Sequence, residues 1–191
     1  AARMLPQALR TAMGDRAPEI AAMVPSLRRT YSDIPLLGEV PADQQRRLIF
    51  GAFLEYIRRA TQKSPAVLLL DDLHWADDAT LQLLQHLAPH LASMRLLVVG
   101  TYRDVELDVK RPFAKTLESL LRQRLATRVA LRRLSESAVH ELLSKISGSA
   151  PPSGLTHAVF RETEGNPFFV EEVYQHLSEE GKLFDASGAW K

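Results

Sequence analysis

Asp71 and Asp72 stand side by side at the end of an apolar run, in the stretch AVLLLDDLHWADD from Ala66 to Asp78. A carboxylate at the C-terminal end of a parallel strand sits at the mouth of its sheet, where open α/β folds bind ligands. Neighbours on an extended chain point to opposite sides, so the two acids suit different tasks. Asp71 suits an outer-sphere contact to Mg²⁺, and Asp72 suits activation of a water for attack on a phosphoryl group. Acids are also common where a strand gives way to a turn, and that bland reading needs no chemistry at all.

Other chemistry-bearing residues point less clearly. His86 and His90 have the i, i+4 spacing of a helical metal pair, but no third ligand is near and Pro89 interrupts the helix, so no metal is expected there. Trp75, directly after the apolar run, is expected to be a packing anchor. Gly165-Asn166-Pro167 makes a good helix start, because the residue before proline disfavours helix and proline suits the first helical turn. The aromatic pair Phe168-Phe169 is expected in the core of the helix that follows.

The chain of 191 residues is 46% hydrophobic and 25% charged, the balance of a globular protein with room for a sizeable core. Its formal net charge of +1 favours neither nucleic acid nor membrane. Five arginines from Arg122 to Arg133 form a local basic stripe, read as a solvated face because no aromatic residues interleave with it. With no cysteine, disulfides, thiolate metal sites and thiol nucleophiles are excluded. Neither a membrane-spanning run nor a signal peptide is visible, and a cytoplasmic location is expected.

The elements that must position the acids follow from periodicity. After Pro41, Leu48, Ala52, Tyr56 and Ala60 recur at steps of four and make an apolar helix face, preceded by a loop over 32–40. VLLL from Val67 and LLVV from Leu96 read as short strands buried on both faces of a parallel sheet. Between them Asp77 is placed to cap a helix bearing Leu81, Leu84, Leu87 and Leu91, with Pro89 disturbing its end. Strand, helix, strand implies a crossover and a parallel pair. A helix over 112–122 and a third, alternating strand in TRVALRRL follow, then Ser135 as a cap. Three helices after Ser135 form a small helical part, and KLFDASGAWK reads as a hairpin turning at Ser187-Gly188.

VLLLDDLHWAD, Val67 to Asp77, resembles the Walker B region of STAND ATPases, signal-transduction relatives of AAA+ proteins that supply the ATPase module of large LuxR-type regulators, some adenylate cyclases and some kinases. VVGTYRD, Val98 to Asp104, resembles the family's sensor 1 strand, and TEGNPFFVEEV, Thr163 to Val173, its helical-lid signature. Three motifs in the right order are far more specific than one. The resemblance implies an α/β P-loop NTPase core, truncated, over 1–134, a helical lid over 135–181, and the start of a further element over 182–191. It implies that Asp71 binds Mg²⁺ through water, Asp72 polarises the attacking water, and Arg103 reports on the nucleotide phosphates. Gly165, Asn166 and Pro167 would form the lid's nucleotide contact, with Pro167 packed on the adenine.

The phosphate-binding loop of such an ATPase, G-x-x-x-x-G-K-[ST], is not in the sequence: the only Gly-Lys pair is Gly181-Lys182, followed by Leu183. The reading is therefore a fragment of a longer ATPase that works as a nucleotide-dependent regulatory switch, with ATP or ADP and Mg²⁺ bound by the intact protein. The segment itself is expected to bind no nucleotide, to hydrolyse nothing, to contact neither nucleic acid nor membrane, and to self-associate through an open sheet edge. The alternative is a non-enzymatic scaffold of the same fold, used for oligomerisation or docking. A phospho-acceptor receiver domain would need a lysine closing a later strand, and a haloacid-dehalogenase-type phosphatase would need D-x-D; neither is present.

Overall fold

The computed structural model describes residues 6–104, 112–185 and 188–190. The chain divides into two compact units, Ala1–Arg128 and Val129–Lys191; the sequence reading set the boundary near Leu134.

The first unit opens with helices α1 (Pro6–Met13), α2 (Ala17–Met23) and α3 (Leu27–Thr30), followed by the long α4 (Ala42–Thr61). Ala52 on the apolar face of α4 is buried against Met13, Ala17, Ile20, Ala21 and Ile34, with Phe53 and Tyr56 flanking. Arg59 ties α4 to the segment after α1 by donating to Asp15 Oδ1 (2.9 Å), and it also donates to Glu55 Oε1 of its own helix (2.8 Å). The hydrogen bond from Arg59 holds the Asp15 carboxyl below its usual range.

Strand β1 (Ala66–Leu70) pairs in parallel with β2 (Leu96–Gly100), in register from Ala66 opposite Leu96 to Leu70 opposite Gly100. The crossover contains α5 (Asp78–Leu87), capped by Asp77 as its spacing predicts. A 3₁₀ stretch follows over Ala88–Ser93, where Pro89 stops the α-helix. Helix α6 (Pro112–Arg122) completes the unit. Leu73, Leu81 and Phe113 form its second core, flanked by Leu70, Leu84, Tyr102 and Leu117.

Two expectations about the sheet are overturned. The strands are covered on one face only: Val67 (67%), Leu69 (62%), Leu97 (59%) and Val99 (38%) are exposed. TRVALRRL forms no strand; its segment leaves Val129 and Leu131 in solvent, and the described sheet has two strands. Strand propensity yields a strand only where a neighbour supplies hydrogen bonds.

The second unit is a three-helix cluster, α7 (Glu136–Ser147), α8 (Ser153–Thr163) and α9 (Pro167–Glu179). Val139, Leu143, Val159 and Val170 are its buried centre. Ser135 caps α7 by accepting from the Ala138 amide. An antiparallel bridge pairs Phe184 with Trp190, as a hairpin requires; Ser187 of its expected turn lies outside the described residues. Among the described residues no helix is long and apolar enough to cross a membrane.

Candidate functional site

The parallel register explains the arrangement around the acids. With Leu70 opposite Gly100, Thr101 falls beside the first residues after β1 and ties them down. Its amide donates to Leu70 O (2.9 Å) and its carbonyl accepts from the Leu73 amide (2.9 Å). Its hydroxyl accepts from the Asp72 amide (3.0 Å) and donates to Asp71 Oδ1. One side chain, on the residue just after β2, thus orients the Asp71 carboxylate and pins the backbone of Asp72.

Asp72 takes left-handed backbone angles, φ 54° and ψ 45°. That region costs an L-residue about 1–2 kcal/mol, and aspartate is among those that tolerate it. The turn is held there by Thr101 on one side and by the 3₁₀ turn Leu73–Trp75 on the other. The sharp reversal ends the strand, so Asp71 turns to Thr101 while the Asp72 side chain stays 51% exposed. His74 is buried below it, its ring Nδ1 3.8 Å from Asp72 Oδ1.

The acids open onto a cleft of about 390 Å³ lined by Leu69, Leu70, Asp71, Asp72, Trp75 and Thr80 among others. Trp75 is 70% exposed along this cleft, so it is no packing anchor; Leu73 and His74 take the buried positions of the turn. Asp77 accepts from the Thr80 amide at 2.8 Å, and hydrogen bonding from Thr80 keeps its carboxyl below the ordinary aspartate value.

Arg103 lies two residues beyond Thr101 and is exposed. Its neighbours anchor the segment: the Tyr102 ring packs on Phe113 at 5.3 Å, and Asp104 pairs with Arg128 at 2.6 Å. The Arg128 guanidinium also lies over Tyr102, 5.9 Å from the ring centre.

Gly165, Asn166 and Pro167 belong to the second unit, where each has a local structural task. Gly165 has φ +75°, and a Cβ there would stand 2.1 Å from Leu134 O. The Leu134 amide donates to Gly165 O at 2.8 Å, closing the contact. Asn166 caps α9 by accepting from the Phe168 amide, and Pro167 occupies the first helical turn, exposed. Phe168 (62%) and Phe169 (52%) are also exposed, contrary to the core position expected of them; Val170 fills that core instead.

Thr101 is the site residue that sequence reasoning missed. Its signal is the strand register, which places it opposite Asp71, and register is a property of two paired segments. Thr101→Val keeps the shape and removes the hydroxyl. The first unit is expected to lose roughly 1–2 kcal/mol in urea unfolding, since a hydrogen bond to a charged group and one to an amide go together. Thr101→Ser should restore most of it. Equal midpoints for wild type and Thr101→Val would show that the hydroxyl does not hold the turn.

The donor set fits Mg²⁺ held through water: two carboxylates and a hydroxyl are hard oxygen groups. Among the described residues no cluster of three or more His, Cys, Asp or Glu side chains is placed to hold an ion by itself, so a cation here needs waters and ligand phosphates to complete its shell. The rings of His86 and His90 are 6.0 Å apart, and His86 packs on Phe50.

An uncharacterized protein of Rhizobium meliloti (strain 1021) is 27% identical, over 92% of this chain and 18% of its own length. The chain thus spans less than a fifth of that curated relative. No solved structure matches. The sequence model of the AAA ATPase domain matches residues 2–99, half of the 191 and including both strands and the acid pair up to Val99. The chain belongs to the AAA ATPase domain family.

Proposed function

We propose that this chain carries the acidic half of the ATP-hydrolysing site of a STAND-type signalling ATPase, whose phosphate-binding loop lies in polypeptide outside residues 1–191. The observation that carries the proposal is the division of labour at the strand end: Asp71 is held by Thr101, and Asp72 is left open on the cleft. Family membership supports nucleotide and Mg²⁺ as the ligands.

In this reading Asp71 would hold Mg²⁺ through water, and the ion would supply charge neutralisation on the nucleotide's phosphates. Asp72 accepts a hydrogen bond from the attacking water and aligns it in line with the γ-phosphorus. Its left-handed backbone is held by the hydrogen bond from its amide to the Thr101 hydroxyl. From the family resemblance, Arg103 would report on the nucleotide phosphates, and Gly165, Asn166 and Pro167 would supply the helical unit's nucleotide contact. The helical unit then responds to which nucleotide is bound and passes that state to output domains elsewhere in the polypeptide, as a regulatory switch does.

Phosphoryl transfer is catalysed by positioning and charge, so acids without a phosphate cradle have nothing to act on. Isothermal titration with ADP and ATP, each with and without magnesium, tests this. Binding is expected in a polypeptide extended through a phosphate-binding loop and absent from residues 1–191. Tight binding by residues 1–191 alone, or none by the extended polypeptide, would overturn the proposal.

A further inference from the structure

The side chain of His74 is only 1% exposed, and it lies against a carboxylate. An apolar side chain would fill the same space at a lower desolvation cost, so an imidazole there points to a use for its polar atoms. The backbone around the ring is fixed. His74 sits in the middle of the 3₁₀ turn Leu73–Trp75, which is tied at three points: the Leu73 amide donates to Thr101 O (2.9 Å), the Trp75 amide to Asp72 O (2.9 Å) and the Ala76 amide to Leu73 O (3.1 Å). The turn packs on α6, with Leu73 and Phe113 in one buried cluster. The Trp75 ring flanks the imidazole, the two centres 5.5 Å apart.

Asp72 is the movable member of the pair. Thr101 holds its backbone amide, while the carboxylate turns about two side-chain bonds. Nδ1 of His74 is 3.8 Å from Asp72 Oδ1, so a movement of under about 1 Å brings them to hydrogen-bond distance. We infer that His74 is the positioning residue for Asp72. With its proton on Nδ1 it donates to Asp72 Oδ1, and the second carboxylate oxygen is turned toward the water that the acid aligns.

A carboxylate accepts at both oxygens, so engaging one leaves the other for water. A hydrogen bond to an ionised acceptor is stronger than a neutral one, which suits it to select one side-chain orientation among the staggered wells. A base held by a third group is a general arrangement in acid–base sites, and here the holder is two residues along the chain and buried. The inference rests on the ATP-hydrolysing reading of Asp72 and deepens it: Thr101 fixes the backbone of the acid, and His74 fixes its side chain.

Two measurements on the polypeptide that carries the phosphate-binding loop test it. Imidazole nitrogen NMR needs no turnover: Asp72→Asn removes the charged acceptor and should move the His74 Nδ1 resonance while leaving those of the other histidines in place. His74→Leu assigns that signal by losing it, and an unmoved resonance in Asp72→Asn overturns the inference. In steady-state kinetics His74→Leu, close in volume and without polar atoms, should lower kcat roughly tenfold, because a carboxylate left to rotate still visits the productive well part of the time. KM for ATP should stay within about twofold, as the water's partner adds little to ground-state binding. His74→Asn, whose amide nitrogen lies near the Nδ1 position, should recover kcat to within about threefold of wild type. In the Asp72→Asn background His74→Leu should lower turnover no further, since no carboxylate remains to be turned. Equal losses in the two backgrounds, or equal losses for leucine and asparagine, would make His74 a packing residue and overturn the inference. A slowed Asp72→Asn beside an undisturbed His74→Leu overturns it alone; unchanged turnover in Asp72→Asn removes the ATP reading and this inference with it.

Discussion

Asp72→Asn, in a polypeptide that also carries a phosphate-binding loop, is expected to lower ATP turnover by at least about a hundredfold, the usual scale for loss of a positioned acid–base group. Nucleotide affinity should stay within about threefold of wild type, because an outer hydrogen-bond partner of the water makes little contact with the bound ground state. The substitution is well suited to the site. Asparagine is nearly isosteric and visits left-handed backbone angles as readily as aspartate, so the turn at φ 54° survives. The backbone bond from residue 72 to the Thr101 hydroxyl is untouched. What is lost is a carboxylate able to take up a water proton. Turnover measured beside titration calorimetry separates the outcomes: a fall in both by the same factor would assign Asp72 to binding, and unchanged turnover would remove it from the chemistry.

Gly165→Ala is expected to destabilise the helical unit by about 2–5 kcal/mol. Left-handed backbone adds roughly 1–2 kcal/mol for any residue with a Cβ, and overpacking typically adds about 1–3 kcal/mol more. The overlap is with main chain: the new Cβ would stand 2.1 Å from Leu134 O and 3.1 Å from Leu134 C, atoms that no rotamer change moves away. Gly148→Ala is the control. Gly148 has a similar φ of +77° at the end of α7 but nothing within 4 Å of a Cβ, so only the conformational cost of about 1 kcal/mol is expected. Urea unfolding followed by circular dichroism compares the two. Equal losses would show that the backbone at Leu134 yields, and that the glycine's value lies in conformation alone.

That contrast also bears on how the lid signature is read. Gly165, Asn166 and Pro167 attract attention as a possible nucleotide contact, yet close approach, helix capping and first-turn geometry already account for all three residue types. A nucleotide role for Pro167 therefore rests on the family resemblance, whereas the acid pair has geometry of its own. The exposed Phe168-Phe169 and Trp75 teach the reverse lesson. Their size suggested core, but burial depends on what lies opposite, and in this chain Val170 and Leu73 occupy the interior.

What the sequence determined by itself is whatever a residue settles with neighbours within a turn or two. Asp77, Ser135 and Asn166 cap their helices as their spacing requires, Pro89 stops α5, and the four-residue recurrence after Pro41 produces α4 with Ala52 buried. The position of the acids at a strand end belongs to the same class. Only tertiary structure decided how the acids are held, because the contacts that hold them join residues about thirty positions apart: Thr101 with Asp71 and with the Asp72 amide. It also decided against burial of the strands on both faces and against a strand in residues 127–133. Periodicity states which side chains are suited to a sheet interior, but pairing and burial need a second surface, and along one face of β1 and β2 the described residues leave Val67, Leu69, Leu97 and Val99 in solvent.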